Sequence, residues 1–217
     1  MLKLGAGSVA EVRRILCIGA HSDDIEIGCG GTILTLLEQN PGISVHWVIL
    51  SAFDDRAEEA RRSAERFLAG APDVSIRIEQ FRERYFPYIG TELKEYFDAL
   101  SAELSPDLIL GHRLEDRHQD HRIVAELVEN SFRDHLVLQY EIPKYDGDLA
   151  TPNVYVEISE PNIERKVDFL MSGFPSQANR YWFSEHTFRG LARVRGVESR
   201  SASGFAEGFH CRKMVLL

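Results

Sequence analysis

Six apolar residues, Ile15-Leu16-Cys17-Ile18-Gly19-Ala20, run without a polar interruption or a helical period into His21-Ser22-Asp23-Asp24. A run this short and this uniformly apolar reads as a strand buried on both faces, the habit of parallel sheets. The residues after it change character at once. A His and two Asp stand where the strand ends. Gly28, Gly30, Gly31 and Thr32 follow, and then the apolar-rich Ile33–Leu37. In open α/β sheets, ligands bind outside the carboxyl ends of the strands. The cluster at 21–24 is therefore where chemistry is expected.

The remaining chain repeats the pattern. A helix over about 29–39 stops before Asn40-Pro41-Gly42, and Val45–Leu50 is a second near-continuous apolar strand. Apolar residues recurring at 57, 60, 64, 67 and 68 predict a helix that closes at Gly70, and the alternation from Val74 to Phe81 predicts a strand. Leu93, Tyr96, Phe97, Leu100 and Leu104 make one face of a helix over 91–104. Asp107–Gly111 is another buried strand, followed by a helix to about 133 and strands over 136–142 and 153–158. Pro161 opens a helix with Ile163, Val167, Leu170 and Met171 on one side. The lead-in over 1–12 has mixed polarity. The tail is read as irregular over Arg180–Arg195, Ser- and Gly-rich over 198–204, and ending in a last strand over 213–217. Alternating strands and helices make an α/β protein with a mostly parallel sheet and helices on both faces, in a single domain over 1–217.

The second polar cluster, His112, Asp116, His118, Asp120 and His121, again lies between a buried strand and a helix. Two strands of one parallel sheet would bring both clusters to the same edge. Mixed His and carboxylate ligands suit zinc or a similar divalent ion, which in catalytic sites takes three protein ligands and leaves a position for water. A neighbouring carboxylate can then act as base, and a nearby His can stabilise an oxyanion. Each piece also has a plainer reading. Asp-Asp after a strand commonly forms a turn or helix cap, and the glycines could belong to a phosphate loop. Their spacing is not GxGxxG, however, and the adjacent acids would repel a pyrophosphate. The glycines are expected instead to let the chain turn closely around a metal and substrate. His46 and His135 read as structural.

Bulk properties narrow the function classes. The 217 residues carry a formal net charge of −9, which speaks against a nucleic-acid partner. No stretch approaches the roughly 20 apolar residues of a membrane span. Three cysteines, at 17, 29 and 211, have no spacing that suggests a disulfide framework or a cysteine zinc site. The expectation is a cytoplasmic protein, with the Arg- and aromatic-rich segment 180–195 lining a pocket or a homo-oligomer contact.

Ala20-His-Ser-Asp-Asp-Ile-Glu-Ile-Gly-Cys-Gly-Gly-Thr32 resembles the Ala-His-Pro-Asp-Asp-x-Glu-x-Gly-x-Gly-Gly-Thr signature of the PIG-L/LmbE-like de-N-acetylases. Asp116-Arg-His-Gln-Asp-His121 resembles that family's Asp-x-His-Pro-Asp-His, and Ser176-Gln177 and Ala206-Glu207-Gly208-Phe209 resemble its C-terminal pattern. The resemblance implies a Rossmann-like fold and a zinc-dependent hydrolase, with Fe2+ as another candidate metal, that removes acetyl from an N-acetylated amino sugar or related small molecule. By motif position it makes His21, Asp24 and His121 the metal ligands and Asp23 the general base. It makes His118 the group that polarises the carbonyl, with Asp120 orienting it. Ser22 and Gln119 replace the family's prolines, positions that stiffen loops rather than bind. Arg56 looks like the family's sugar-hydroxyl arginine. Asp146 and Asp148, in the loop 143–152, are candidate sugar contacts. Two other readings stand beside this one: the same metal site acting on a different amide, such as a thiol-sugar conjugate or an antibiotic precursor, and a non-catalytic nucleotide- or sugar-binding protein.

Overall fold

The apolar runs become the central strands of a seven-stranded sheet. The computed structural model describes residues 11–215, so most of the lead-in over 1–12 and the last two residues of the tail lie outside the described residues. In chain order the elements are β1 (Arg14–His21), α1 (Asp24–Gln39), β2 (Ser44–Ser51), α2 (Asp54–Phe67), β3 (Asp73–Ile78), α3 (Gly90–Glu103), β4 (Leu108–His112), α4 (Gln119–Ser131), β5 (Leu136–Tyr140), β6 (Val154–Glu157), α5 (Glu160–Gly173), α6 (Glu185–Ser199) and β7 (Ala206–His210). Short 3-10 turns occupy Phe86–Tyr88 and Pro175–Gln177.

The spatial order is β3-β2-β1-β4-β5-β7-β6. The pairs β1–β2, β2–β3, β1–β4 and β4–β5 are parallel, and β7 runs antiparallel to both its neighbours. The chain winds outward from β1 to β3, then returns to place β4 on the other side of β1. That reversal opens a crevice between the carboxyl ends of β1 and β4, the place where open α/β sheets bind ligands. Alternation along the strands divides the core into two layers. Ile15, Cys17, Trp47, Ile49 and Leu110 pack with residues of α1, α2, α5 and α6, while Leu16, Ile18, Val48, Leu50 and Ile109 pack with α3 and α4.

Three expectations change. The first helix starts at Asp24 rather than near 29, and it breaks at Cys29, whose φ of −146° is not helical. The break exposes backbone groups that side chains then satisfy. Glu207 accepts the N–H groups of Gly31 (2.9 Å) and Thr32 (2.7 Å), and the Lys166 ammonium donates to the Ile27 carbonyl (2.6 Å) and to Glu207 (2.6 Å). The glycines allow close approach within this helix rather than a turn around a ligand. A Cβ at Gly28 would lie 2.3 Å from the Tyr140 ring, and one at Gly30 would lie 2.6 Å from Phe67.

Second, the segment read as irregular contains α6. Ser184 caps it by accepting the Thr187 N–H, and its buried face is Phe188, Ala192, Arg195, Gly196 and Ser199. The spacing is helical, but Arg, Gly and Ser on the inner face hide the period. Third, the last strand is Ala206–His210; residues 213–215 are not in a strand.

Candidate metal centre and active site

β1 delivers His21 at its last residue, α1 offers Asp24 at its first, and α4 brings His121 in its first turn. All three are buried. His21 Nδ1 lies 3.1 Å from His121 Nε2 and 3.3 Å from Asp24 Oδ2, and His121 Nε2 lies 3.5 Å from Asp24 Oδ1. The remaining nitrogen of each ring has a carboxylate partner. His21 Nε2 faces Asp120 Oδ2 at 3.2 Å, and His121 Nδ1 faces Asp116 Oδ2 at 3.0 Å.

That arrangement fits a divalent cation on the chemistry of the donor set. If each ring donates its outer N–H to its carboxylate, two imidazole lone pairs face one another across 3.1 Å beside the Asp24 carboxylate. Such a grouping demands a positive charge at its centre. The two imidazoles sit in opposite electrostatic environments. Burial alone would lower His21, but Asp24 and then Asp120 outweigh it and hold the ring at about 10. His121 is pushed down to about 3 by burial and by His112, so it stays neutral and keeps a lone pair. Two nitrogens and a carboxylate are a ligand set that zinc accepts, and one that non-haem iron also uses.

His112 is drawn into the centre from the end of β4. Its Nε2 lies 3.2 Å from Asp24 Oδ2, and its ring stacks on His121 with centroids 4.0 Å apart. Two groupings are close enough to share an ion: Asp24, His112 and His121, and His21, His118 and His121. The Ala20 N–H already donates to His112 Nε2 at 2.9 Å, however, and so occupies that lone pair. Asp24 Oδ2 also accepts the His21 backbone N–H at 2.7 Å. That backbone contact anchors the Asp24 carboxylate.

Asp23 sits at the N-terminal cap of α1 without making a side-chain capping bond. Burial and the adjacent Asp24 charge raise its carboxyl to about 6, while Arg56 and His21 pull the other way. The Arg56 guanidinium lies 3.9 Å from Asp23 Oδ1 and donates to Ser22 Oγ (2.9 Å) and to Glu83 (3.0 Å). The expected sugar-contacting arginine therefore borders the expected base. Glu26 does not join this group. It is fully buried, and burial drives its carboxyl well above the ordinary range, leaving a neutral acid in the core.

His118 caps α4, with its Nδ1 accepting the Asp120 N–H at 3.3 Å. Burial and the His21 charge push its pKa below that of a free imidazole. A neutral ring that accepts at Nδ1 carries its proton on Nε2. The Asp120 carboxylate does not orient His118 as expected. It faces His21 and accepts the backbone N–H groups of Arg84 (2.5 Å) and Phe86 (3.3 Å); only the Asp120 backbone reaches His118. Asp148 is likewise turned to the protein. Its carboxylate binds Lys144 and the Arg117 N–H, so it is already occupied by the fold rather than open to a sugar. Asp146 lies exposed on the same loop. Sequence reasoning gave no role to Lys144, nor to Tyr140, whose hydroxyl donates to the Ile18 carbonyl at 2.7 Å beneath the site. Both act through contacts with residues far away in the chain.

The sequence matches the family described as GlcNAc-PI de-N-acetylase (PIG-L) over residues 16–132, more than half of the chain and a range that holds His21, Asp24 and His121. The chain belongs to this family. It is 28% identical over 123 residues to the uncharacterized deacetylase YaiS of Escherichia coli, covering 52% of this chain and 64% of YaiS. It is 31% identical over 132 residues to the diacetylchitobiose deacetylase of Thermococcus kodakarensis, covering 52% of this chain and 46% of that enzyme. The match thus spans less than two thirds of either relative. Among solved structures, the 4-carboxy-2-hydroxymuconate hydratase GalB of Pseudomonas putida superposes with a TM-score of 0.75 at 18% identity, covering 94% of this chain and 98% of that one. The family fold therefore also occurs in a hydratase, and the reaction has to be argued from the site. Among the described residues no helix is long and apolar enough to cross a membrane.

Proposed function

We propose that this protein is a zinc-dependent hydrolase that removes the N-acetyl group from an amino sugar or sugar conjugate. The observation that carries this reading is the convergence of His21 Nδ1, His121 Nε2 and Asp24 within 3.5 Å of one another. Asp23 and Arg56 stand beside them. His21, Asp24 and His121 would hold the ion, with Fe2+ as the other metal this ligand set accommodates. When bound, such a cation supplies Lewis-acid charge that acidifies water and polarises a carbonyl.

The chain's own groups supply the rest. Asp23, with a carboxyl near 6, is largely ionised at neutral pH yet basic enough to take a proton from water. Its neighbour Asp24 faces the imidazoles and so stays a ligand. His118 presents Nε2–H to the carbonyl oxygen and stabilises the oxyanion as it forms. Asp120 holds His21 in the tautomer that frees Nδ1. Arg56 contacts sugar hydroxyls at the rim. Asp146 is a candidate contact from the 143–152 loop, and a thiol-sugar conjugate or an antibiotic precursor remains within the range of amides such a site can take. The buried unpaired thiols of Cys17 and Cys29 suit a reducing, cytoplasmic setting.

The test is acetate release from N-acetylglucosamine, N,N'-diacetylchitobiose and N-acetylglucosaminyl conjugates, run with wild type, His21→Ala and His121→Ala. Wild type should release acetate from at least one of these, and both variants should lose it together with bound zinc. Retained zinc and full activity in both variants would sink the reading.

A further inference from the structure

Deepening that reading, and resting on its assignment of His121 as a ligand, we propose that Asp116 and Lys144 are positioning residues that tie the 143–148 segment to the metal centre and fix the His121 lone pair. Asp116 is buried, and its two oxygens accept three different donors. Oδ2 faces His121 Nδ1 at 3.0 Å, and Oδ1 takes the His118 backbone N–H at 2.8 Å and the Lys144 ammonium at 3.0 Å. Lys144, itself only 9% exposed in its side chain, bridges on to both oxygens of Asp148 at 2.9 and 2.7 Å. Asp148 then accepts the Arg117 N–H at 2.7 Å, and its backbone carbonyl accepts the Arg113 guanidinium at 2.6 Å. The network borders a shallow, open pocket lined by Arg113, Tyr140, Glu141 and Leu149 as well.

Its physical logic runs from the loop inward. A histidine that donates Nδ1–H to a carboxylate is held in the tautomer whose Nε2 is a bare lone pair, and the ring is prevented from rotating. A buried carboxylate is costly unless its oxygens are paired. Lys144 supplies a partner from outside the Asp116–His121 motif, and Asp148 keeps Lys144 in place. Arg117, next to His118, is pinned by the same Asp148, so one loop residue supports the ligand and its neighbouring His together. The sequence places Lys144 twenty-three residues beyond His121, outside any motif, and only the fold brings it there.

The test is a zinc titration against a chromophoric chelator, with the His121 ring ¹⁵N shifts of the metal-free protein as a second readout. It uses wild type, His121→Ala, Lys144→Met, Lys144→Arg and Asp148→Asn. Lys144→Met should weaken zinc binding about 10- to 100-fold, the usual loss when an outer partner of a ligand is removed. It should also move His121 from a single Nδ1–H tautomer to a mixture. Lys144→Arg should recover most of the affinity, and Asp148→Asn should lose less than Lys144→Met. Wild-type affinity and tautomer in Lys144→Met would overturn the proposal. So would a loss in Asp148→Asn greater than that in Lys144→Met, because loop order rather than Lys144 would then set affinity. If wild type binds no zinc, or His121→Ala binds it as tightly as wild type, the metal-site assignment fails as well. If wild type binds and His121→Ala does not, an unaltered Lys144→Met removes the positioning role alone.

Discussion

Asp23 and Asp24 are adjacent carboxylates with opposite environments. Asp24 is surrounded by His21, His112 and His121, which together outweigh burial and hold it well below the ordinary range; Asp23 meets burial and its neighbour's charge, and rises to about 6. Under the proposed function the two acids, pushed apart in this way, take different work, Asp24 as a ligand and Asp23 as a base. Asp23→Asn should therefore lower turnover about 10²- to 10⁴-fold while zinc content stays near that of wild type. Parallel acetate-release assays and metal analysis check this, and loss of zinc in that variant would show that Asp23 is a ligand instead. Arg56 is half-buried and touches Ser22, Asp23 and Glu83. Arg56→Ala should raise KM for a hydroxyl-rich substrate by about tenfold, or about 1.4 kcal/mol, with a smaller effect on kcat. Steady-state kinetics on a sugar amide separates the two. At this scale much of the candidate site was legible before the fold was known. His21, Asp23, Asp24, His118 and His121 all stand where an apolar strand stops or the next helix begins. Asp120 was legible as a site residue, but not its direction, because a sequence cannot say which of two nearby imidazoles a carboxylate will face.

α1 is the element on which the site depends, since its first residue is Asp24 and its break at Cys29 is sealed from α5 and β7 by Lys166 and Glu207. Breaking one side of a buried ion pair costs about 3–5 kcal/mol. Lys166→Met should lose stability of that order, read from urea unfolding. The glycines give a sharper contrast. Gly28→Ala drives a methyl into the Tyr140 ring and should cost about 1–3 kcal/mol. Gly190 is exposed within α6 with nothing within 4 Å of a Cβ, so Gly190→Ala should gain about 0.5–1 kcal/mol. The same unfolding experiment checks both signs. The central strands of this fold were legible because β1, β2 and β4 are near-continuously apolar. The elements that escaped were those whose inner faces are polar. α6 buries Arg195 against Glu141, and β7 buries Glu207 against Lys166. Polar pairing of this kind removes the hydrophobic period that sequence reading depends on. The glycine stretch was misread for the related reason that helix breaks and turns share a composition, and only Tyr140, Phe67 and Glu207 reveal which is present.

Across the whole molecule, the reversal of strand order beside β1 brings residues about a hundred positions apart into one crevice, with β1 and α1 supplying one half and β4 and α4 the other. The net charge of −9 does not determine the character of this crevice. Its demand for positive charge arises from Asp24, Asp116 and Asp120 set among four imidazoles. A fold shared with both a deacetylase family and a hydratase leaves the reaction to those side chains. The most direct measurement is acetate release from the N-acetylated sugar panel by the full chain before chelation, after chelation, and after return of a single zinc ion per chain. Activity should vanish on stripping and return with zinc in wild type, while His121→Ala should stay inactive throughout. Acetate release that survives chelation, or that persists in His121→Ala, would contradict the account.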